Sequence, residues 1–402
     1  MKEEKITITN AQELRQEKCN VPTLRFDKLK DFHRQKLGTL CTIVGGYAFD
    51  SKKMIPKGNY QIVKMGNFYA GKLDLSRTPT FLDNPTQSEL SALLKKHDIV
   101  ITLTGTVNKK DYGYTVQINN ENNLLLNQRC ALIRAKNNID SNYLLYLLKA
   151  NEFLSQFYAS SVGGTGNQTN VSIKAIEQFI VSIPHLDEQK RIGKFLSDID
   201  KRILVQNKII SKYETLIKGI REQVVNGGWQ WKKLDELIQK GIVRLNRGNI
   251  IPKHQKDNIY KYPVYSSSTQ NNGLMGYNDT YMFDKELITW SIDGGGNFFY
   301  RKKHKFNVTN VCGIMQVDEN IYSYRFIAEM LTYQHSKMKF DYQSKAHPSV
   351  ISSLYSLPCL PISEQNSYCR LFIALDRKIQ IEQQSLCKLK EQKKYLLSKM
   401  FI

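Results

Sequence analysis

The chain has 402 residues, too many for one hydrophobic core, so two or more domains are expected. Its 41% hydrophobic and 10% aromatic content excludes a disordered chain, and 58 Lys+Arg against 37 Asp+Glu leave a formal charge of +21; that excess favours a polyanionic partner, nucleic acid before an anionic membrane surface, although a basic surface without any partner accounts for the same charge. No apolar run reaches membrane-spanning length, no apolar signal region opens the chain, and none of the seven cysteines forms a C-x-x-C pair, so a soluble cytoplasmic protein with reduced thiols is expected.

Residues 1–20 are polar and read as a flexible arm. A first mixed α/β domain is expected over 21–184. From about residue 37 short apolar or alternating runs (LGTLCTIVGGYAF, YQIVKMGNFYAG, DIVITLTGTV, NLLLNQRCALIRA) are punctuated by Gly, Asn and Asp, the texture of strands and turns. SNYLLYLLKANEFLSQFYAS, 141–160, changes to helical spacing, with Tyr143, Leu144, Leu147, Leu148 and Leu154 near one stripe.

A spacer helix follows over 185–225. Ile192, Leu196, Ile199, Ile203, Gln206, Ile210, Tyr213, Ile217, Ile220 and Val224 recur in alternating steps of four and three, a heptad seam with one polar interruption. NGGWQWKKLDEL then breaks the helix and opens a second mixed domain, 226–361, again strand-and-turn in texture until IYSYRFIAEMLTYQ supplies a helix. A second spacer helix occupies 362–402. Adding 176 to the first seam gives Tyr368, Phe372, Leu375, Ile379, Glu382, Leu386, Leu389, Lys393, Leu396 and Met400, and the same offset relates Glu188 to Glu364, Gln189 to Gln365, Asp200 to Asp376 and Lys212 to Lys388. Two heptad runs in matched register make an internal repeat. The expected fold is α+β: two mixed α/β domains separated by a long antiparallel two-helix coiled coil, as a pseudo-twofold internal repeat. At 1.5 Å per residue, about 38 residues make a spacer of about 55 Å. Gln206 and Glu382 either meet in the seam and fix register or lie at a solvated edge.

Sequence readout of a duplex needs paired donors and acceptors on loops or strands, and phosphate contacts need Lys and Arg. In the first domain the candidates are Thr104, Thr106, Asn108, Lys109 and Lys110, with Asn167, Gln168 and Asn170. In the second they are Ser267, Ser268, Gln270, Asn271, Asn297, Arg301, Lys302 and Lys303, with Lys345, His347 and Ser349 in the loop before the second junction. Turn-capping accounts for any one of these amides equally well, and a solvated charge run accounts for the basic cluster. The aromatic trio Phe298, Phe299 and Tyr300 could stack on bases or fill the core.

NVPTLRF (20–26), IEQFIVSIPHLDEQKRIGKFLSDIDKRI, LYSLPCLPISEQNSYCRLFIALDRKI, and the paired domain starts RQKLGTL and WKKLDEL together resemble the DNA-specificity subunit of type I restriction–modification enzymes. The resemblance covers residues 20–402. The second junction departs from the first in carrying Asn366-Ser367 where the first has Lys190-Arg191. The resemblance implies two target-recognition domains, each reading one half of a bipartite asymmetric DNA sequence. It implies as partners double-stranded DNA, two modification methyltransferase subunits held by the outward helix faces and domain flanks, and restriction/translocase subunits; Lys194, Lys201, Arg202 and Lys208 are exposed on those faces by heptad position, which solvated helix charge explains equally well. S-adenosylmethionine, ATP and Mg would belong to those partners, with no cofactor, metal or catalytic residue in this chain and no membrane association.

Motifs for chemistry are missing from the residues themselves. There is no GxxxxGK[ST] phosphate loop, since GNFYAGK (66–72) continues as Leu73, no HExxH, no Gly-x-Ser-x-Gly elbow and no Asn/Asp-Pro-Pro-aromatic tetrapeptide, since Asn84-Pro85 continues as Thr86. GGTG at 163–166 is not a GxGxxG. Two other readings stay open: a non-specific nucleic-acid-binding coiled-coil scaffold, and a DNA-modifying enzyme with an unrecognised site.

Overall fold

A computed structural model describes residues 22–26, 32–69, 71–163, 167–251, 261–268, 270–293, 295–338 and 345–401. The expected arm, 1–20, and residues 164–166 of the glycine–amide stretch lie outside the described residues. The chain forms two compact units, one from the residues up to Val205 together with those from Leu386, the other Gln206–Ser385.

The first unit is built on a four-stranded antiparallel sheet in the order Cys41–Gly45, Cys130–Ala135, Ile99–Thr102, Thr115–Gln117. The run Ile99–Thr102 lacks alternation because both faces of the sheet are covered. Ile99, Ile101 and Ile133 face one core with Tyr143, Phe153 and Val181, whereas Val100 and Leu132 face another with Val63 and Leu125. A second sheet, in the order Leu124–Leu126, Tyr60–Val63, Phe81–Leu82, closes that second core, and His33–Lys36 pairs with Ile180–Ile183.

The second unit repeats this topology in unrelated residues. Its main sheet runs Val243–Arg247, Cys312–Val317, Leu287–Ser291, Phe298–Arg301. Its second sheet contains Tyr262–Tyr265 beside Lys305–Val308, and Trp231–Lys233 pairs with Ser356–Pro358. One core, around Trp290, Phe306, Phe326 and Tyr355, serves the unit.

The two long helices are Leu186–Val225 and Ile362–Met400. Of the seam positions, Ile192, Leu196, Ile199, Ile210, Ile217, Val224, Phe372 and Met400 are buried. Ile203, Gln206, Tyr213, Ile220, Tyr368, Leu375, Ile379, Glu382, Leu386, Leu389, Lys393 and Leu396 are half-buried. In the first unit Lys393 Nζ donates to Asp200 at 2.5 Å, while Phe401 packs on Tyr143 beside Gly193, so the two helices run in opposite directions. In the second, Gln206 Nε2 donates to the Glu382 carboxylate and to Glu382 O (3.2 Å), so these two polar side chains meet. Further along, Arg221 donates to Glu329 (2.6 Å), and Arg325, which also meets Glu329, pairs with Asp376 at 2.8 Å.

The repeated glutamine of each junction has one job done twice. Gln189 Oε1 accepts from Asp140 N (2.9 Å) and its amide donates to Pro184 O (2.9 Å). Gln365 Oε1 accepts from Ser323 N (3.0 Å) and its amide donates to Ile321 O (2.8 Å) and Leu360 O (2.9 Å). Each carboxamide thereby satisfies main-chain groups, one of them in a buried bond, at the place where a long helix starts and a domain helix begins. The neighbouring glutamates diverge: Glu188 is buried and accepts from Phe26 N (3.2 Å), and Glu364 is exposed.

Candidate nucleic-acid interface

In the first unit two candidate segments, 64 residues apart at Thr104 and Gln168, come together as one ribbon. Thr104–Thr106 pairs with Gln168–Asn170 in the register Gln168↔Thr106, Thr169↔Gly105, Asn170↔Thr104, and Val162–Gly163 adds a third strand with Val162 opposite Asn170. Directly opposed residues share a face. One face therefore presents Thr104, Thr106, Gln168, Asn170 and Val162; the other turns Gly105 and Thr169 into the protein, where both are buried.

The ribbon is tied down from beneath. A Cβ on Gly105 would stand 2.2 Å from the Tyr112 ring, so only glycine lets the strand lie on that tyrosine. Tyr112 itself packs on Phe157 and Tyr158, and Tyr158 OH donates to Tyr112 O (3.0 Å). Asp111 accepts from Thr106 N (2.8 Å) and Thr106 Oγ1 (2.7 Å), bonds that hold its carboxyl below the usual range. Gly105→Val is expected to dislodge the ribbon at a cost of about 1–3 kcal/mol, as overpacking does. Loss of first-unit DNA contacts with the second unit still folded, seen by amide hydrogen exchange, is the check.

The backbone also separates two roles the amides could play. Asn108 (φ 61°), Asn167 (φ 59°) and Asn271 (φ 48°) lie in the left-handed region that asparagine tolerates, so turn formation accounts for them. Gln168 and Asn170 sit on a strand and have no such duty. Lys109 and Lys110 are exposed at the ribbon's end, with Lys110 Nζ over the Tyr158 ring at 5.2 Å.

In the second unit the structure gathers some of the named residues and disperses others. Ser291 Oγ donates to Ser267 O (2.6 Å), Ser291 N to Asn297 O (3.1 Å), and Ala346 N to Ile292 O (2.9 Å). These bonds bring the loops bearing Ser267, Ser268, Gln270, Asn271, Asn297, Lys345 and His347 to one end of the unit. Lys345 pairs with Asp293 at 3.4 Å, half-buried His347 precedes the helix Pro348–Leu354, and Ser349 is exposed in that helix's first turn. Lys302 and Lys303 lie elsewhere. The strand Phe298–Arg301 carries the chain from Asn297 to the opposite end of the hairpin, about 16 Å at 3.3 Å per residue.

Arg301, read from the sequence with that basic run, is only 4% exposed. Its Nε donates to Thr289 Oγ1 (2.9 Å), its guanidinium lies 3.6 Å from the Tyr265 ring centroid, and burial pulls its pKa down to about 10. It supports the reading end from inside and is not placed for phosphate. Phe298 is likewise core, against Trp290 and Tyr355, Phe299 lies with its ring centroid 4.9 Å from the Arg301 guanidinium, and Tyr300 OH donates to Glu286 (2.7 Å), so the trio packs within the unit.

The candidate loops occupy one topological place in both units. Val171 N donates to Leu103 O (3.1 Å) in the first, as Ala346 N does to Ile292 O in the second, each just ahead of the short helix that leads to the junction. Sequence reading missed Val162, whose side chain is 72% exposed on the ribbon face. Its only signal was an apolar residue at the head of a glycine–amide stretch. Among the described residues no group of three or more His, Cys, Asp or Glu stands together for a metal, and no helix is long and apolar enough to cross a membrane.

Residues 30–215 and 226–391 match the family model for the type I restriction modification DNA specificity domain. A Mycoplasma pneumoniae protein named as a type I specificity subunit is 36% identical over 134 residues, 31% of this chain and 43% of its own length. The type I restriction enzyme MpnII specificity subunit of that organism is 30% identical over 130 residues, 31% of this chain and 39% of that one. The chain thus spans less than half the length of these curated relatives that it matches. The crystal structure of the S subunit of a type I restriction–modification system from M. genitalium shares the fold, with a TM-score of 0.64 and 16% identity over 95% of this chain and 99% of that one.

Proposed function

The chain belongs to the type I restriction modification DNA specificity family, and from that premise we propose that it is the specificity subunit of a type I restriction–modification complex. It binds double-stranded DNA, each unit reading one half of a bipartite asymmetric sequence. One observation carries the reading: the same topological place bears Thr, Gln, Asn and Val in the first unit and Ser, Asn, Lys and His in the second. A shared scaffold with unlike reading faces suits two unlike half-sites.

The chemistry then belongs to partners in the cytoplasm: two methyltransferase copies using S-adenosylmethionine, and restriction subunits using ATP and Mg. Support for two copies of one partner comes from exposed apolar side chains that recur at the repeat offset. Val205 (54% exposed) corresponds to Ile381 (62%), and Phe195 to Leu371. Val205→Asp and Ile381→Asp should each weaken one methyltransferase copy about tenfold, the worth of one buried aliphatic side chain, measured by native mass spectrometry of the reconstituted complex.

Mapping methylated positions on DNA treated with that complex tests the function. One asymmetric bipartite motif is expected, absent when this chain is omitted. Binding indifferent to sequence would favour the scaffold reading, and methylation by this chain alone would favour an enzyme.

A further inference from the structure

The geometry points to a more definite assignment: the ribbon face of the first unit reads an A·T pair, Asn170 taking the purine's hydrogen-bonding edge and Val162 packing on the thymine C5-methyl group. This rests on the DNA-reading function proposed above.

Three observations lead to it. First, the register sets Val162, Asn170 and Thr104 in one row across three strands, all on the outward face. The strands Thr104–Thr106 and Gln168–Asn170, about 4.8 Å apart, make a two-stranded ribbon of the kind a major groove of about 12 Å admits, with Val162 on the short strand at its edge. Second, Thr104 Oγ1 donates to Asn170 Oδ1 (3.1 Å). That bond orients the carboxamide, leaving its NH₂ donors and a second oxygen lone pair for a base edge. An amide presenting a donor and an acceptor together matches adenine N7 and N6, which guanine, with two acceptors, cannot satisfy.

Third, Val162 is an isolated apolar side chain, 72% exposed, in the strand beside that amide. Among the described residues its neighbours on this face are Thr104, Thr106, Gln168 and Asn170, all polar. In the major groove the one apolar group on a base edge is the thymine methyl, which lies on the same pair as the adenine that Asn170 fits. The amide and the valine are thus complementary to the two halves of a single base pair. Gln168, opposite Thr106, stands one row along and is left for a neighbouring pair.

The test uses the full chain with its methyltransferase subunits and duplexes carrying the mapped site. Each thymine of the half-site is replaced in turn by deoxyuridine, which lacks only the methyl group. One replacement, at one position, should weaken wild-type binding about fourfold, the worth of one buried methyl. Val162→Ala should bind the thymine and deoxyuridine duplexes equally, while Asn170→Ala relaxes the choice of purine at that same pair. Exposure of Val162 makes loss of folding an unlooked-for result, and the wild-type arm needs no variant. A half-site without an A·T pair, or binding insensitive to every deoxyuridine, overturns the assignment while leaving sequence-specific binding intact. Absence of any sequence-specific complex overturns the underlying function instead.

Discussion

Exchanging residues 37–171 for the corresponding stretch of a relative should replace one half of the methylated sequence and leave the other half unchanged. The boundary follows from the ribbon. Strand Gln168–Asn170 pairs with Thr104–Thr106, and Val171 N donates to Leu103 O, so both segments must travel together. An exchange stopping at 165 would set a native strand against a foreign one and is expected to abolish reading by that unit. Each base pair no longer matched should cost about 1–3 kcal/mol, so three pairs separate old site from new by a hundredfold or far more. Both halves changing together would refute independent readers.

Gln365→Ala should destabilise the second unit by about 3 kcal/mol. The substitution leaves Ser323 N–H and the carbonyls of Ile321 and Leu360 without their partner; the bond to Leu360 is buried and the other two are part-buried, and each buried group left unpaired costs about 1–3 kcal/mol. Glu364→Ala is the control, since that residue is equally part of the repeat but exposed; a change under about 0.5 kcal/mol is expected. All three tryptophans, Trp229, Trp231 and Trp290, lie within Gln206–Ser385, so tryptophan fluorescence during urea unfolding follows this unit. Equal effects of the two substitutions would show that the carboxamide does not fasten the junction.

The long helices were legible because heptad spacing is a local property, written in Ile192, Leu196, Ile199 and their counterparts without reference to anything distant. The repeat of Gln189 and Gln365 was legible as a coincidence of offset, but its cause is a set of hydrogen bonds to the start of another helix. The likeness of the two domains was legible only as a repeated order of texture and helix; their common strand order was not, since strand order survives the replacement of every side chain that keeps the pattern.

Site residues divide along the same line. Chain neighbours Asn297 and Lys302 were grouped by proximity in sequence, and a single strand drives them apart. Arg301 was taken for a surface charge because a basic run says nothing about burial; alternation along the strand turned it inward onto Tyr265. Amides that a composition argument could not rank were ranked by φ: three in left-handed turns, two on a strand.

The sequence by itself determined the order of parts, the two helical seams, the basic character and the family, all of which depend on composition and on spacings within one element. Tertiary structure alone decided which polar side chains share a face, that Val162 stands among them, and that each junction glutamine fastens a helix to its domain. Strand register and buried hydrogen bonds join residues tens of positions apart, and no local pattern encodes that pairing.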